Sequence, residues 1–354
     1  MIEKLKDPTS DWLFIVPIRG LLLTKEVNNE LKVGNVLFVS KERLPRIRKR
    51  LGIPLVISKL GKIGIDNPES LERRINDFFK SSKTFAITHF SGTPKNNEIQ
   101  NIRKIEKAIN LVSFSKLGYS TRNFKQKIEI KSSDKILYNE KIYIDKNNKR
   151  LSINFNSLHT IPLELNSTWK KFQRRFFYFQ LLKIVNGEQK IKRKWKNTLI
   201  STANLIGKSI NSHDIPEAFL RNVIAMEMLL VNQNEKIKEK LIERSAYLLE
   251  WYKDWSENKL PEKIEALYKK RCDFVHDGDT ENISKEDLIF SDDLLFNLIN
   301  NIFRNIDKID SKGSLIDFSN KYQCEKKLGL KSKLQFGRFE YMKKEYRDLD
   351  IENL

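Results

Sequence analysis

The sequence predicts an α+β protein: a basic mixed α/β domain over residues 1–165, an all-helical bundle over 166–312 and a tail over 313–354. Three observations carry that reading. Short apolar runs rich in Val, Ile and Phe, bounded by Gly or Pro, crowd the first part as buried strands do. Past Pro162 the apolar residues recur at helical spacing, in wide stripes separated by brief polar breaks. The charge also changes sign along the chain. Residues 1–200 hold 41 Lys and Arg against 18 Asp and Glu, residues 201–312 hold 16 against 21, and 313–354 hold 9 against 7, within a net +20.

In chain order, DWLFIVPIRGLLL, GNVLFVS and KTFAITHFSG read as buried strands. ESLERRINDFFKSS and NEIQNIRKIEKAINLVSF read as amphipathic helices, the second with Ile102, Ile105 and Ile109 at helical spacing. QKIEIKSS, EKIYID and KRLSINFNS alternate apolar and polar residues, as half-exposed antiparallel strands do, and the last two flank a turn at DKNNK. Helices follow at TWKKFQRRFFYFQLLKIV, KWKNTLISTANLIGKSI, IPEAFLRNVIAMEMLLV, NEKIKEKLIERSAYLLEWYKDW, PEKIEALYKKRCDFVH and KEDLIFSDDLLFNLINNIFRNI. In the first of these, Phe172, Phe176, Phe177 and Phe179 belong to the core and the cations to a solvated face. The third starts on Asp214, with Pro216 in its first turn and Glu217 three residues on, a capping arrangement. The last 40 or so residues lack a clear stripe at first and regain helical character near GRFEYMKKEYRDL.

Composition narrows the function. No run of eighteen apolar residues appears, and charges stand where a signal peptide needs an apolar core, so a cytoplasmic protein without a membrane partner is expected. Cys272 and Cys324 are the only cysteines, without a CxxC or a partnering His, so no disulfide framework, metal site or cofactor is expected. The basic excess of the first 200 residues points to a polyanionic partner, because a uniform bias toward Lys would not leave 201–312 acidic. Arg43, Arg46, Arg48, Lys49 and Arg50, in RLPRIRKR, form the candidate phosphate-contacting patch of that domain.

The candidate chemistry lies in KKRCDFVHDGD, residues 269–279. Pro261, Glu262 and Glu265 at one end, Lys269 to Arg271 toward the other and Gly278 beyond mark a helix over about 261–276. Arg271 and His276 are five residues apart, about 140° around that helix, so they flank a shared groove and do not overlie one another as metal ligands would. A histidine in a last helical turn feels the negative end of the dipole, which favours imidazolium and suits proton transfer near neutrality. An arginine supplies a fixed charge whose planar fork matches phosphate oxygens. Together they meet the needs of metal-independent RNA cleavage, in which the RNA supplies its own 2′-hydroxyl as nucleophile.

Here the sequence resembles the HEPN superfamily, and within it the Apea-like HEPN ribonucleases. Their hallmark is R-x4-6-H at the end of a late helix, matched by Arg271 and His276 in ALYKKRCDFVHDG. An upstream helix with a glutamate is matched by AFLRNVIAMEMLL with Glu227, and the next by IERSAYLLE with Arg244, so the resemblance spans roughly 190–310. One departure is that Cys272 follows the arginine, where many active members carry Asn, Asp or His; Asp273 comes one position later. The resemblance implies an all-helical HEPN-like bundle, a homodimer joining two motifs in one cleft, and cleavage of RNA, a tRNA or an mRNA, to 2′,3′-cyclic phosphate ends. It also implies a toxin or phage-defence effector. Arg271 is then the transition-state stabiliser, His276 the proton-transfer group, Asp273 an orienting group, and Glu227 and Arg244 accessory residues or a buried ion pair that fixes helix register. The first 165 residues are similar to the variable sensor-like parts such proteins carry.

Other readings compete. His213-Asp214 and His276-Asp277 are two HD pairs, but a metal-dependent phosphohydrolase needs further ligands, and Asp214 already caps a helix. His89 reads as a strand end and His159 as part of the junction, both structural, and Cys272 lacks a base to make it a nucleophile. A catalytically silent HEPN-like nucleotide- or nucleic-acid-binding module and a plain nucleic-acid-binding regulator are the alternatives to an enzyme.

Overall fold

The computed structural model describes residues 12–50, 73, 76–90, 94–120, 122–123, 126–131, 138–145, 150–157, 161–249 and 259–330. The turn at 146–149, His159 and the helix expected near 337–349 lie outside these residues. Strands precede a helical region, as an α+β chain requires. The chain forms two compact units, one of residues 1–31, 36–106 and 125–166, the other of 32–35, 107–124 and 167–354. Residues 107–124, assigned to the first domain on sequence, thus cluster with the helices. Leu111, Val112, Phe114 and Leu117 are all buried, which makes this segment core material and not a connector.

The first part of the chain contains β1 (Trp12–Arg19), β2 (Leu21–Leu23), β3 (Glu30–Val33), β4 (Val36–Ser40), α1 (Leu44–Arg50), β5 (Thr84–Phe90), α2 (Pro94–Ser113), β6 (Glu129–Ile130), β7 (Tyr138–Asp145), β8 (Arg150–Ser157) and β9 (Leu163–Leu165). A five-stranded sheet runs in the order β3-β4-β5-β1-β6, with β5 antiparallel to both β1 and β4. The apolar run DWLFIVPIRGLLL turns at Gly20 into two strands of different sheets: β1 lies in the large sheet, while β2 pairs in parallel with β9. β7 and β8 form an antiparallel hairpin, Ile142 opposite Ile153. Leu37, Val39, Phe85 and Ile87 from the sheet and Leu44 and Ile47 from α1 build its core. Phe78 and Phe79 close over Phe85.

The helical unit holds α3 (Ser167–Arg175), α4 (Tyr178–Val185), α5 (Arg193–Ile210), α6 (Ile215–Leu230), α7 (Ile237–Leu249), α8 (Leu260–Asp277), α9 (Lys285–Arg304) and α10 (Lys312–Lys327). The single helix expected over 168–185 is broken into α3 and α4. At the break Phe176, Phe177 and Tyr178 are consecutive and all buried among the unit's aromatic rings, Tyr178 against Trp169. The break sends Phe177 onto Phe114 at 4.9 Å and Phe176 onto Phe296 at 5.0 Å between ring centres. Helix α9 is buried on nearly every side from Leu294 to Phe303 and forms the unit's axis. Gly207 of α5 lets two backbones touch, since a Cβ there would stand 1.8 Å from the Asn110 carbonyl oxygen of α2. The segment after 312, expected to lack a stripe at first, starts as α10. Leu315, Phe318 and Tyr322 make a narrow stripe that stacks toward Tyr247 of α7. Among the described residues no helix is long and apolar enough to cross a membrane.

Candidate functional site

Helix α8 presents the motif. Pro261 lies in its first turn, and Gly278, with φ of 71°, ends it. The backbone N–H of Gly278 donates to the Phe274 carbonyl, an αL closure open only to a residue that accepts a left-handed backbone, and the Asp279 N–H reaches back to the Asp273 carbonyl. His276 therefore stands in the last turn, as expected, and is exposed.

The rest of the geometry follows from the helical period. Leu260, Ile264 and Leu267 are buried, and Arg271 falls on the same stripe one turn further on, so its guanidinium points toward the bundle. There it meets Glu227 of α6. Arg271 Nε stands 3.0 Å from Glu227 Oε1, and Nη2 donates to Oε2 at 3.3 Å; the side chains are 18 % and 14 % exposed. The closer contact is an ion pair without hydrogen-bond alignment, leaving Nε and Oε1 both buried without a hydrogen-bond partner. Burial pushes the Glu227 carboxyl above the usual carboxylate range, against the opposing pull of Arg271. The guanidinium also lies 5.8 Å from the centre of the Tyr268 ring. Burial, followed by a hydrogen bond with Cys272, pushes the Tyr268 phenol up.

His276 lies 140° away on the solvent side, with Cys272 between it and Arg271. Arg271 and His276 do not touch: His276 has no hydrogen-bond or ion-pair partner among the described residues. Asp273 lies three residues before His276 on the same face and 200° from Arg271, so it can orient only the imidazole. Cys272 is half-buried beside Tyr268, a packing position. The exposed Val275, 49 % accessible, adjoins His276.

The expected Glu227–Arg244 ion pair does not form, because each residue has a nearer partner on its own side of the bundle. Arg244, 3 % exposed, donates to both carboxylate oxygens of Glu235 at 2.6 and 2.7 Å and to the Leu230 carbonyl. This closes the end of α6, and the guanidinium holds the Glu235 carboxyl down at about 2. Lys312 caps the same end through the Met228 and Val231 carbonyls. Arg244 is thus a structural residue. Asp214 caps α6 by accepting the Glu217 N–H, which accounts for the first HD pair.

In the first domain's patch, Arg43 is committed to Glu30 at 3.0 Å, while Arg46 and Lys49 are exposed. The side chains of Arg48 and Arg50 lie outside the described residues. His89 lies in β5, at its penultimate position. An open groove of about 670 Å³ lined by Ile242, Ala246, Tyr247 and Pro261 sits at the other end of α8, roughly 22 Å from His276 along the helix.

Sequence reasoning missed a buried polar cluster. Arg122 binds Asp292 through Nε at 2.5 Å and Nη2 at 2.8 Å, and also donates to the Ser209 carbonyl and hydroxyl. Lys116 is buried nearby, its amine brought down to about 7 by burial and by Arg122. No short motif marks residues 170 positions apart. No family model, no curated protein and no solved structure matches the chain.

Proposed function

We propose that the chain is a metal-independent endoribonuclease of the HEPN type, acting as a homodimer. One observation supports this above the rest: α8 ends by presenting an exposed imidazole without a partner among the described residues, while its arginine lies one face away with its Nε unsatisfied among them. The chemistry needs no other group. An imidazole takes the proton of the RNA 2′-hydroxyl, O2′ bonds to phosphorus, the P–O5′ bond breaks, and the leaving oxygen takes a proton. Arg271 holds charge on the phosphorane. A second copy placing its own motif opposite would supply the second imidazole. A toxin or phage-defence role fits such an activity.

The Arg271–Glu227 pair favours a second reading. With its guanidinium neutralised in the resting state, the same surface could serve as a regulatory nucleotide-binding module without turnover.

The test compares wild type with His276→Ala. Total RNA from expressing bacteria should show discrete fragments, lost in the variant, with 2′,3′-cyclic phosphate ends and undiminished by a chelator in vitro. Identical RNA from both proteins would leave the binding reading.

A further inference from the structure

Half of the chain's net charge sits in a part of the helical unit that the α8 site does not use. Residues 167–210 hold eleven Lys and Arg against one acidic residue, Glu188, a net +10 of the total +20. The cations are sorted by face. On α3, Lys170, Lys171, Arg174 and Arg175 fall within an arc of about 140°, opposite the buried Trp169 and Gln173. On α5, Arg193, Lys194 and Lys208 share an arc of about 100° opposite the buried Trp195, Leu199 and Ile206, spread over roughly 22 Å of helix. Lys190 and Lys192 are exposed in the connection that leads into α5.

This is not an ordinary solvated surface. Helix α7 of the same unit and the residue before it show what that looks like: Lys236 pairs with Glu239, Lys240 with Glu243 and Lys238 with Glu265. By contrast, Lys171, Arg174, Lys190, Arg193, Lys194 and Lys208 are exposed, and none of them is ion-paired among the described residues. A surface of one sign repels itself, which folding alone does not call for. Nor does it have the apolar side chains beside the cations with which an amphipathic helix inserts into a lipid surface. Among the described residues the exposed large apolar ones are Ile99, Ile161, Val275, Leu328 and Leu330, none of them in this stretch.

We propose that the solvent faces of α3 and α5 bind the phosphodiester backbone of RNA, independently of base sequence. The choice of RNA among polyphosphates rests on the proposed ribonuclease reading. The basic character that the sequence analysis assigned to the first domain is then in good part a property of the helical unit. The α8 motif acts on a strand that this surface holds.

Binding of a labelled 2′-O-methyl RNA, which cannot be cleaved, tests it by fluorescence anisotropy across a salt series. Each lost phosphate contact should reduce the slope of log affinity against log salt by about 0.7. Lys171→Glu/Arg174→Glu and Arg193→Glu/Lys194→Glu should each weaken binding about tenfold or more at low salt and flatten that slope. Glutamine versions should give the same order with smaller loss, and circular dichroism checks that all four variants fold. Arg46→Glu/Lys49→Glu serves as the comparison. Unchanged affinity and slope in the α3 and α5 variants would overturn the inference, as would binding to phosphatidylserine vesicles without binding to RNA. The two readings fail separately. Salt-dependent binding without any cleavage by wild type removes the ribonuclease and leaves this surface; cleavage indifferent to the charge reversals removes the surface and leaves the ribonuclease.

Discussion

At the residue scale, Glu227 governs what Arg271 can do. A guanidinium already facing a carboxylate offers a phosphate less net charge, and its orphaned Nε shows that the pair is made imperfectly. Glu227→Gln removes the competing charge and keeps the shape. It should raise affinity for uncleavable RNA several-fold, up to about tenfold for 1.4 kcal/mol, whereas Arg271→Ala should lower it. Equal affinity in wild type and Glu227→Gln would show that Arg271 does not meet the strand. The raised Glu227 carboxyl adds a sign: its folded pKa lies above the unfolded one, so its stabilising contribution is full below the unfolded value and lost as pH rises through the folded value. The residues of the motif were legible in the sequence because the motif is local. Their partners were not. Helical spacing puts Glu227, Arg244 and Arg271 on inward faces, but it does not say which neighbouring helix supplies the opposite charge.

At the scale of elements, what was legible is whatever a local period encodes. Strands β1, β4, β5 and β6 of the large sheet, the two helices that carry Glu227 and the motif, and the cap at Asp214 all follow from spacing and end signals, whereas β3 was not read from the sequence. The α3–α4 break and the start of α10 were not legible, since both are decided by which aromatic rings must be buried against distant ones. The end of α8 is the element boundary on which the chemistry depends. Gly278 has open space around its Cα, so a substitution there tests backbone conformation alone. Gly278→Ala should cost about 1 kcal/mol in urea unfolding, for a left-handed backbone that alanine resists. Gly278→Asn should cost less. RNA cleavage should fall in the same order, because the last turn holds His276. Equal stabilities of the two variants would remove this account of the helix end.

At the scale of the whole molecule, the charge asymmetry was legible from composition, and its division between units was not. The same holds for the buried cluster that ties the 114–122 segment to α5, α6 and α9. Arg122, Ser209, Asn222, Ser291 and Asp292 are hydrogen-bonded to one another there, and the Arg122–Asp292 pair meets the condition for charges to be tolerated in a core, while Asn222 Oδ1 is left without a partner. Lys116 is the member that strains it. Lys116 is 2 % exposed and borders a void of about 10 Å³ lined also by Ser120, Arg122, Asp292 and Asp293. Its folded pKa of about 7 lies below the ordinary 10.5, so between those values the unfolded chain binds the extra proton. Stability should therefore rise with pH across that window; below about 7 the penalty for charging the buried amine is complete and constant. Lys116→Met keeps the length of the side chain and removes the titration. Its stability relative to wild type should be greatest at and below neutrality, by a few kcal/mol at most, and the difference should shrink as pH rises toward 10. Urea unfolding followed by tryptophan fluorescence, to which the buried Trp169 and Trp195 of this unit contribute, reads the difference. Parallel pH profiles for the two proteins would mean that the amine stays charged in the fold, its cost met by Asp292 and Asp293 instead of by loss of the proton.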